Sequence, residues 1–199
     1  MRDLTGKFFG ALRKHRTVLF ILGAGMAVGI VLTAVYATAV QYTNTLGFCA
    51  HTCHEMESTV FQEYTHSKHF KNQHGVVVVC SQCHVPHGNW LLTLNRKIHA
   101  TFELWDHFSG TVNTPEKFDA HRLELAKKVW GIFAATNARE CKACHSYANM
   151  LLEEQRPSVQ AQHTDAMKTN QNCLECHKGL VHKAPNDPAA APPAGFDLN

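Results

Sequence analysis

Residues 49–84 read CAHTCHEMESTVFQEYTHSKHFKNQHGVVVVCSQCH and contain two related cysteine motifs. The second, Cys80–His84, has the C-x-x-C-H pattern of covalent c-type haem attachment, and the pattern returns at 141–145 (CKACH) and 173–177 (CLECH). The first, 49–54 (CAHTCH), has one additional residue between its cysteines. The four motifs use all eight cysteines of the chain and predict four covalent haem groups. The expected thioether cysteines are Cys49, Cys53, Cys80, Cys83, Cys141, Cys144, Cys173 and Cys176.

The motif spacing suits a haem because two thiols add to its two vinyl groups while the adjacent histidine reaches the iron. Paired C-x-x-C motifs can also hold structural zinc, and a single motif can be a redox dithiol. Zinc does not require a histidine after every second cysteine. A dithiol normally occurs once, beside an alternating strand and helix pattern that this chain lacks. The sequence therefore favours a multihaem electron-transfer protein over both alternatives.

Histidine is unusually frequent, at fifteen of 199 residues. Four belong to the motifs, and bis-histidine haems need a second histidine each. Because four macrocycles would form the core of so small a domain, we expect a mostly α-helical, haem-packed fold with few or no strands. The formal charge of +3 does not indicate nucleic-acid binding, since haem propionates add negative charge. Cysteines confined to such motifs place the domain outside the cytoplasm.

The N-terminal region has the composition of a membrane anchor. Residues 1–16 are basic, and residues 17–40 carry no charged side chain, which is long enough to span a bilayer. The basic flank places the N-terminus in the cytoplasm. A cleaved signal peptide is the alternative, since Ala37–Ala39 fits a cleavage site, but its apolar region would be shorter. We expect a single-pass inner-membrane anchor with a periplasmic haem domain.

Residues 41–183 are predicted to form a tetrahaem domain that lies close to the periplasmic face of the inner membrane. Similar spacing of the motif histidines suggests two di-haem halves, about 41–110 and 111–183. Residues 57–71 are polar and helical in character. A helix over 89–108 could pack on haem edges or on lipid headgroups. Another helix should begin at Thr114-Pro115, and residues 184–199 read as a disordered tail.

With these motifs in hand, the chain resembles the NapC/NirT/NrfH family of membrane-anchored tetrahaem c-type cytochromes, which are quinol dehydrogenases. The resemblance covers nearly the whole chain. It is carried by residues 53–56 (CHEM), 63–64 (EY), 75–76 (GV), 83–86 (CHVP), 96–98 (RKI), 113–118 (NTPEKF), 121–125 (HRLEL) and 176–183 (CHKGLVHK).

The resemblance implies oxidation of menaquinol or ubiquinol at the periplasmic membrane face during anaerobic respiration. Electrons would pass to a periplasmic reductase, most readily of the nitrate or nitrite type, or to a soluble cytochrome. The chain itself would have no terminal reductase activity. The alternative is a tethered electron-transfer subunit without its own quinol site, fed by another membrane complex. The sequence leaves open a homo-oligomer or a complex with another protein.

The resemblance also implies roles for individual residues. The first haem would be the quinol-facing, high-spin one, with Met56 or His54 on one side of the iron and an open face on the other. Met56 is the preferred ligand, because the first motif has an additional residue. Lys97 and Glu103 would belong to the quinol site, and His51 is not expected to bind iron.

The other three haems would each be held by two histidines. Their motif ligands would be His84, His145 and His177. In that order, the resemblance suggests His182, His163 and His69 as the second ligands. His66 is the rival of His69 for the fourth haem.

Overall fold

The computed structural model describes residue 10 and residues 13–187. The α-helices are α1 (Arg16–Thr43), α2 (Leu46–His51), α3 (His54–Ser58), α4 (Val60–Thr65), α5 (Cys80–His84), α6 (Trp90–Phe108), α7 (Pro115–Ala135), α8 (Arg139–Lys142) and α9 (Pro157–Thr169). Short 3-10 turns lie at Tyr147–Asn149, Leu152–Glu154 and Cys173–Glu175. The described part of the chain contains no strand, which confirms the mostly α-helical prediction.

Helix α1 matches the predicted anchor, slightly extended at both ends. Its 28 residues span about 42 Å at 1.5 Å per residue, more than the ~30 Å of a bilayer core. An internal window has a mean hydropathy of 2.5, and none of the helix's residues is buried. The helix is thus long and apolar enough to cross a membrane. The inside-outside orientation stays a prediction, and most of the basic segment at 1–16 lies outside the described residues.

The second compact unit begins at Asn44. Few of its apolar side chains are buried, and three of those few are alanines. The buried apolar residues are Ala50, Tyr64, Val85, Phe118, Phe133, Ala138 and Ala166. So small a set of side chains cannot form a conventional core for a domain of this length. The unit is therefore organised as expected for a domain packed around macrocycles.

Local sequence signals place the two long helices of this unit where they were predicted. Asn89 caps α6, since its side chain accepts hydrogen bonds from the backbone N–H groups of Leu91 and Leu92. Thr114 caps α7 in the same way through the N–H of Lys117, with Pro115 in the first turn. These caps satisfy backbone donors that have no partner inside the helix.

Other predicted segments differ or lie partly outside the described chain. The helical stretch predicted at 57–71 is shorter, because Thr59 interrupts it between α3 and α4 and α4 ends at Thr65. Gly75 then turns the chain with a φ of +67°, a conformation that favours glycine. Of the predicted tail, only residues 184–187 are described, so its disorder stays a prediction.

Candidate haem centre

The motif cysteines come together in pairs without forming disulfides. The Cys49 thiol hydrogen-bonds with Cys80, which joins the first motif to the second. Cys141 makes the same contact with Cys173, which joins the third motif to the fourth. The four motifs thus lie close together in two pairs, which would bring their haems into one part of the domain.

Three motif histidines each lie opposite a second histidine from elsewhere in the chain. The ring centroids are 6.2 Å apart for His84 and His182. They are 6.1 Å apart for His69 and His145, and 6.0 Å apart for His163 and His177. An imidazole nitrogen binds a first-row metal at about 2 Å, so two rings on opposite sides of one iron have centres roughly 6 Å apart. The three pairs therefore fit bis-histidine haem.

The partners of two motif histidines differ from those predicted. His163 lies beside His177 rather than His145, and His69 lies beside His145 rather than His177. The reason is local for His163, because α9 ends just before the fourth motif and presents its histidine to that motif. His66, the rival of His69, is exposed, and its Nδ1 contacts the carbonyl oxygen of Gln62.

Burial keeps the histidines of the His84–His182 pair neutral. It lowers the pKa of His84 to about 4, assisted by the nearby His182 and Arg96. Burial also lowers the pKa of His182, against the opposing effect of Glu63. A histidine binds metal through an unprotonated nitrogen, so this environment suits ligation.

An ion-pair network fixes the C-terminal segment that carries His182. Arg122 on α7 contacts Glu63 on α4 at 2.8 Å between Nη2 and Oε1. Arg122 Nη1 also donates to the carbonyl oxygen of Lys183 at 3.2 Å, and the Lys183 N–H donates to Glu63 Oε2 at 2.9 Å. The residue next to His182 is thus held by two helices, which sets the position of the His182 ring.

A separate hydrogen bond orients His163. Its Nδ1 is 2.7 Å from Oε1 of Gln155, the residue that follows the Leu152–Glu154 turn. A partner on one ring nitrogen fixes the tautomer and leaves the other nitrogen for a metal. Neither Gln155 nor Arg122 is detectable as a site residue from sequence, because each acts through a histidine distant in the chain.

The first motif has a different arrangement. His54 lies 5.7 Å from His107 of α6, centroid to centroid. The Glu55 carboxylate lies close to both, hydrogen-bonded to His107 Nδ1 and 3.6 Å from His54 Nε2. Burial opposes ionisation of Glu55, but bonds from His107 and its own backbone hold the pKa below its usual value. Sequence reasoning missed His107 and Glu55, because neither falls at a motif position.

Two other residues near the first motif, Met56 and His51, differ in exposure and contacts. Met56, the preferred iron ligand from sequence, is 37% exposed. His51 contacts Glu57 at 3.0 Å between Nδ1 and Oε1 and packs edge-on against Phe61. His51 thus has structural partners, and its expected non-ligand role stays a prediction.

The two predicted quinol residues lie on α6 with different partners. Burial lowers the pKa of Lys97, with Cys49 opposing the shift, so the ammonium lies within electrostatic range of the first motif. Glu103 instead accepts two hydrogen bonds from Arg96, at 3.1 and 3.0 Å. Its side chain is 53% exposed. The structure therefore pairs Glu103 with Arg96.

Comparison with known proteins gives a consistent result. Residues 12–187 match the NapC/NirT cytochrome c family, N-terminal region. The chain is 41% identical to the denitrification system component NirT of Stutzerimonas stutzeri, covering 83% of this chain and 81% of that protein. It is 39% identical to the cytochrome c-type protein NapC of Escherichia coli K12, over 83% and 82%. The cytochrome c-type protein TorC of the same strain is 35% identical, over 90% and 46%. No solved structure matches the chain.

Proposed function

This chain belongs to the NapC/NirT cytochrome c family, and from that premise we propose that it oxidises quinol and passes the electrons to a periplasmic reductase. The chain is a c-type cytochrome with covalent haem c and an apolar N-terminal helix fit for a membrane anchor. One relative is named as a denitrification component, which favours a nitrate or nitrite reductase as acceptor. Menaquinol and ubiquinol are both suitable donors.

The observation that carries the proposal is the set of three histidine pairs with ring centroids 6.0–6.2 Å apart. Each pair joins one C-x-x-C-H histidine to one histidine outside the motifs. Bound haem would supply one-electron transfer at each site. Burial lowers the pKa of His69, His84, His177 and His182. Arg122 positions the segment that carries His182, Gln155 orients His163, and each motif supplies two cysteines. Together with the first motif, this arrangement supports four haems.

The quinol site is proposed on α6, beside the first motif. Lys97 would donate a hydrogen bond to a quinol oxygen, since partial burial strengthens such a charge-assisted bond. Glu103 would accept a quinol proton, since its carboxylate lies on the same helix as Lys97 and is held in place by Arg96. The exposed position of Glu103 then gives the proton a route to water on the periplasmic side.

The test compares Lys97→Ala with Lys127→Ala, an exposed lysine on α7, using full-length, haem-loaded protein in vesicles containing menaquinol or ubiquinol. We expect Lys97→Ala to slow quinol-driven haem reduction at least about tenfold, because the quinol loses its polarising partner. Lys127→Ala should reduce at the wild-type rate, and all three proteins should contain four haems by pyridine haemochrome assay.

Equal rates in the two variants would contradict the quinol site as drawn. Wild-type protein that quinol cannot reduce, but that accepts electrons from another membrane complex, would instead establish the alternative of a tethered electron carrier.

A further inference from the structure

Helix α6 carries a stripe of exposed, large apolar side chains along one side. At about 100° per residue, six of them fall within about 120° of the helix circumference. These residues, called the α6 stripe below, are Trp90, Leu91, Ile98, Phe102, Trp105 and Phe108, and they are 48–73% exposed. A helix on the surface of a soluble domain normally turns its apolar stripe towards the core. The stripe of α6 instead points away from the domain.

The side of α6 that faces the rest of the domain is polar. Thr93 Oγ1 donates a hydrogen bond to the carbonyl oxygen of Pro86 at 2.8 Å, just after the second motif. His107 Nδ1 is hydrogen-bonded to Glu55, just after the first motif. Arg96 lies on this side too, and its side chain is only 21% exposed. The helix therefore contacts the motifs through polar groups and leaves its apolar groups for a different surface.

Chain continuity and composition indicate that this surface is a lipid bilayer. Only Asn44 and Thr45 separate α1, which is apolar enough to cross a membrane, from α2. The carbonyl oxygen of Asn44 accepts a hydrogen bond from Ser81 Oγ at 2.7 Å, so the residue next to α1 is tied to α5, the helix that precedes α6. Tryptophan and phenylalanine on one face of a helix are typical of segments that lie in the membrane interface.

The charges of α6 favour lipid over a protein partner. Arg96 and Lys97 balance Glu103 and Asp106, so the helix has no net formal charge with neutral histidines. None of these four residues belongs to the stripe. A redox partner is steered and recognised by a complementary charged surface. Burial of aromatic side chains at the level of the lipid headgroups needs no net charge.

We propose that the α6 stripe lies in the lipid headgroup layer on the side of the membrane that the haem domain faces. Helix α6 is then a second membrane contact of the chain, in addition to α1. This contact does not depend on quinol chemistry. One consequence rests on the proposed function: Lys97 lies about 20° around the helix from Trp90, at the edge of the stripe, and would meet the quinol ring at the depth of the headgroups.

The deciding measurement is photo-cross-linking to lipid, with full-length, haem-loaded wild type held as one copy per nanodisc. The discs contain phosphatidylcholine, part of it with a diazirine at the glycerol end of an acyl chain, and no quinone. We expect lipid adducts on α1, which shows that the anchor is inserted, and on residues of the α6 stripe. Two exposed leucines outside α6, Leu151 and Leu180, should carry none. Adducts on α1 but not on α6 would overturn the proposal.

A pair of variants tests whether the stripe itself makes the contact. The double variant Phe102→Gln/Trp105→Gln changes two side chains that are 73% and 72% exposed, so we expect it to mature with four haems. Adducts on the rest of the stripe should fall at least about threefold, because interfacial binding scales with the apolar area buried, while those on α1 stay unchanged. Leu151→Gln is the matched control and should leave both sets unchanged. An unchanged pattern in the double variant would contradict the assignment.

Further outcomes distinguish a second copy of the chain and failure of the proposed function. If adducts on α6 disappear when each disc holds two copies, a second copy covers the stripe, and the proposal is overturned. Adducts on α6 in a protein that quinol cannot reduce would support the lipid contact and count against the proposed function. Rapid quinol-driven reduction without adducts on α6 would count against the lipid contact alone.

Discussion

The His54–His107 pair and the His84–His182 pair have similar ring separations but opposite electrostatic surroundings. His54 is 66% exposed at its side chain, and the anion Glu55 lies between it and His107. His84 and His182 are desolvated and within range of the cations Arg96 and Arg122. Glu63 lies 3.8 Å from His182 Nδ1, but Arg122 balances its charge. Haems at the first and second motifs should therefore differ in reduction potential, because burial and nearby charge help to set it.

The difference gives the electron path a direction. Glu55 and solvent stabilise the more positive, oxidised iron, so the first haem should have the lower potential. Burial and Arg96 disfavour that positive charge at the second haem, which should be easier to reduce. Since the thiols of Cys49 and Cys80 are in contact, the two haems would be neighbours, and electrons from quinol would run downhill from the first to the second.

The largest expected effect is on the free energy of unfolding, which should fall more when the His84–His182 pair is broken than when the His54–His107 pair is broken. His84→Ala should destabilise the haem-loaded protein by more than about 3 kcal/mol, because it would remove the proposed iron bond between α5 and the C-terminal segment. His54→Ala should cost clearly less, since its ring is mostly exposed. Chemical denaturation monitored by far-UV circular dichroism compares them. If both variants lost the same free energy of unfolding, the exposure of the rings would not determine how much each pair stabilises the protein.

An intermediate effect is expected at the support of His182. Arg122→Ala removes bonds to Glu63 and to the carbonyl oxygen of Lys183, and charge-assisted bonds of this kind contribute about 1.5–3 kcal/mol. Lys128→Ala is the matched control on α7, because its pair with Glu124 is exposed and contributes about 0.3–0.5 kcal/mol. Thermal unfolding should rank the variants in this order. Equal midpoints would show that the segment is held by haem ligation alone.

The smallest expected effect comes from adding a negative charge beside the His163–His177 pair. Gln155→Glu would place a carboxylate next to His163 Nδ1, which now contacts the Gln155 amide oxygen. At an effective dielectric constant near 20 the added charge is worth roughly 1–2 kcal/mol, or on the order of 50–100 mV for one electron. Potentiometric titration should show one haem shifted downward. Glu154→Gln, at an exposed neighbouring position, should shift none, and an unshifted Gln155→Glu would argue against control by nearby charge.

Sequence predicted those parts of the molecule that are encoded locally. The apolar run of α1, the helix start at Thr114-Pro115 and the cysteine motifs each act within a few residues, so their spacing is informative. The histidine partners are set by contacts between distant segments. No spacing rule separates His69 from His163 as the partner of His145, or reveals that His107 faces His54. Buried polar groups such as Glu55 are likewise recognisable only once the chain is folded.

The crossed order of the histidine pairs has a consequence for biogenesis. A chain made from its N-terminus can complete the pairs in the order 54–107, 69–145, 163–177 and 84–182, because each waits for its later member. The second motif is synthesised early yet is finished last, when His182 arrives. If His182 is the second ligand of that haem, as proposed, a premature stop shortly before it would leave an iron with one open position, where small molecules could bind.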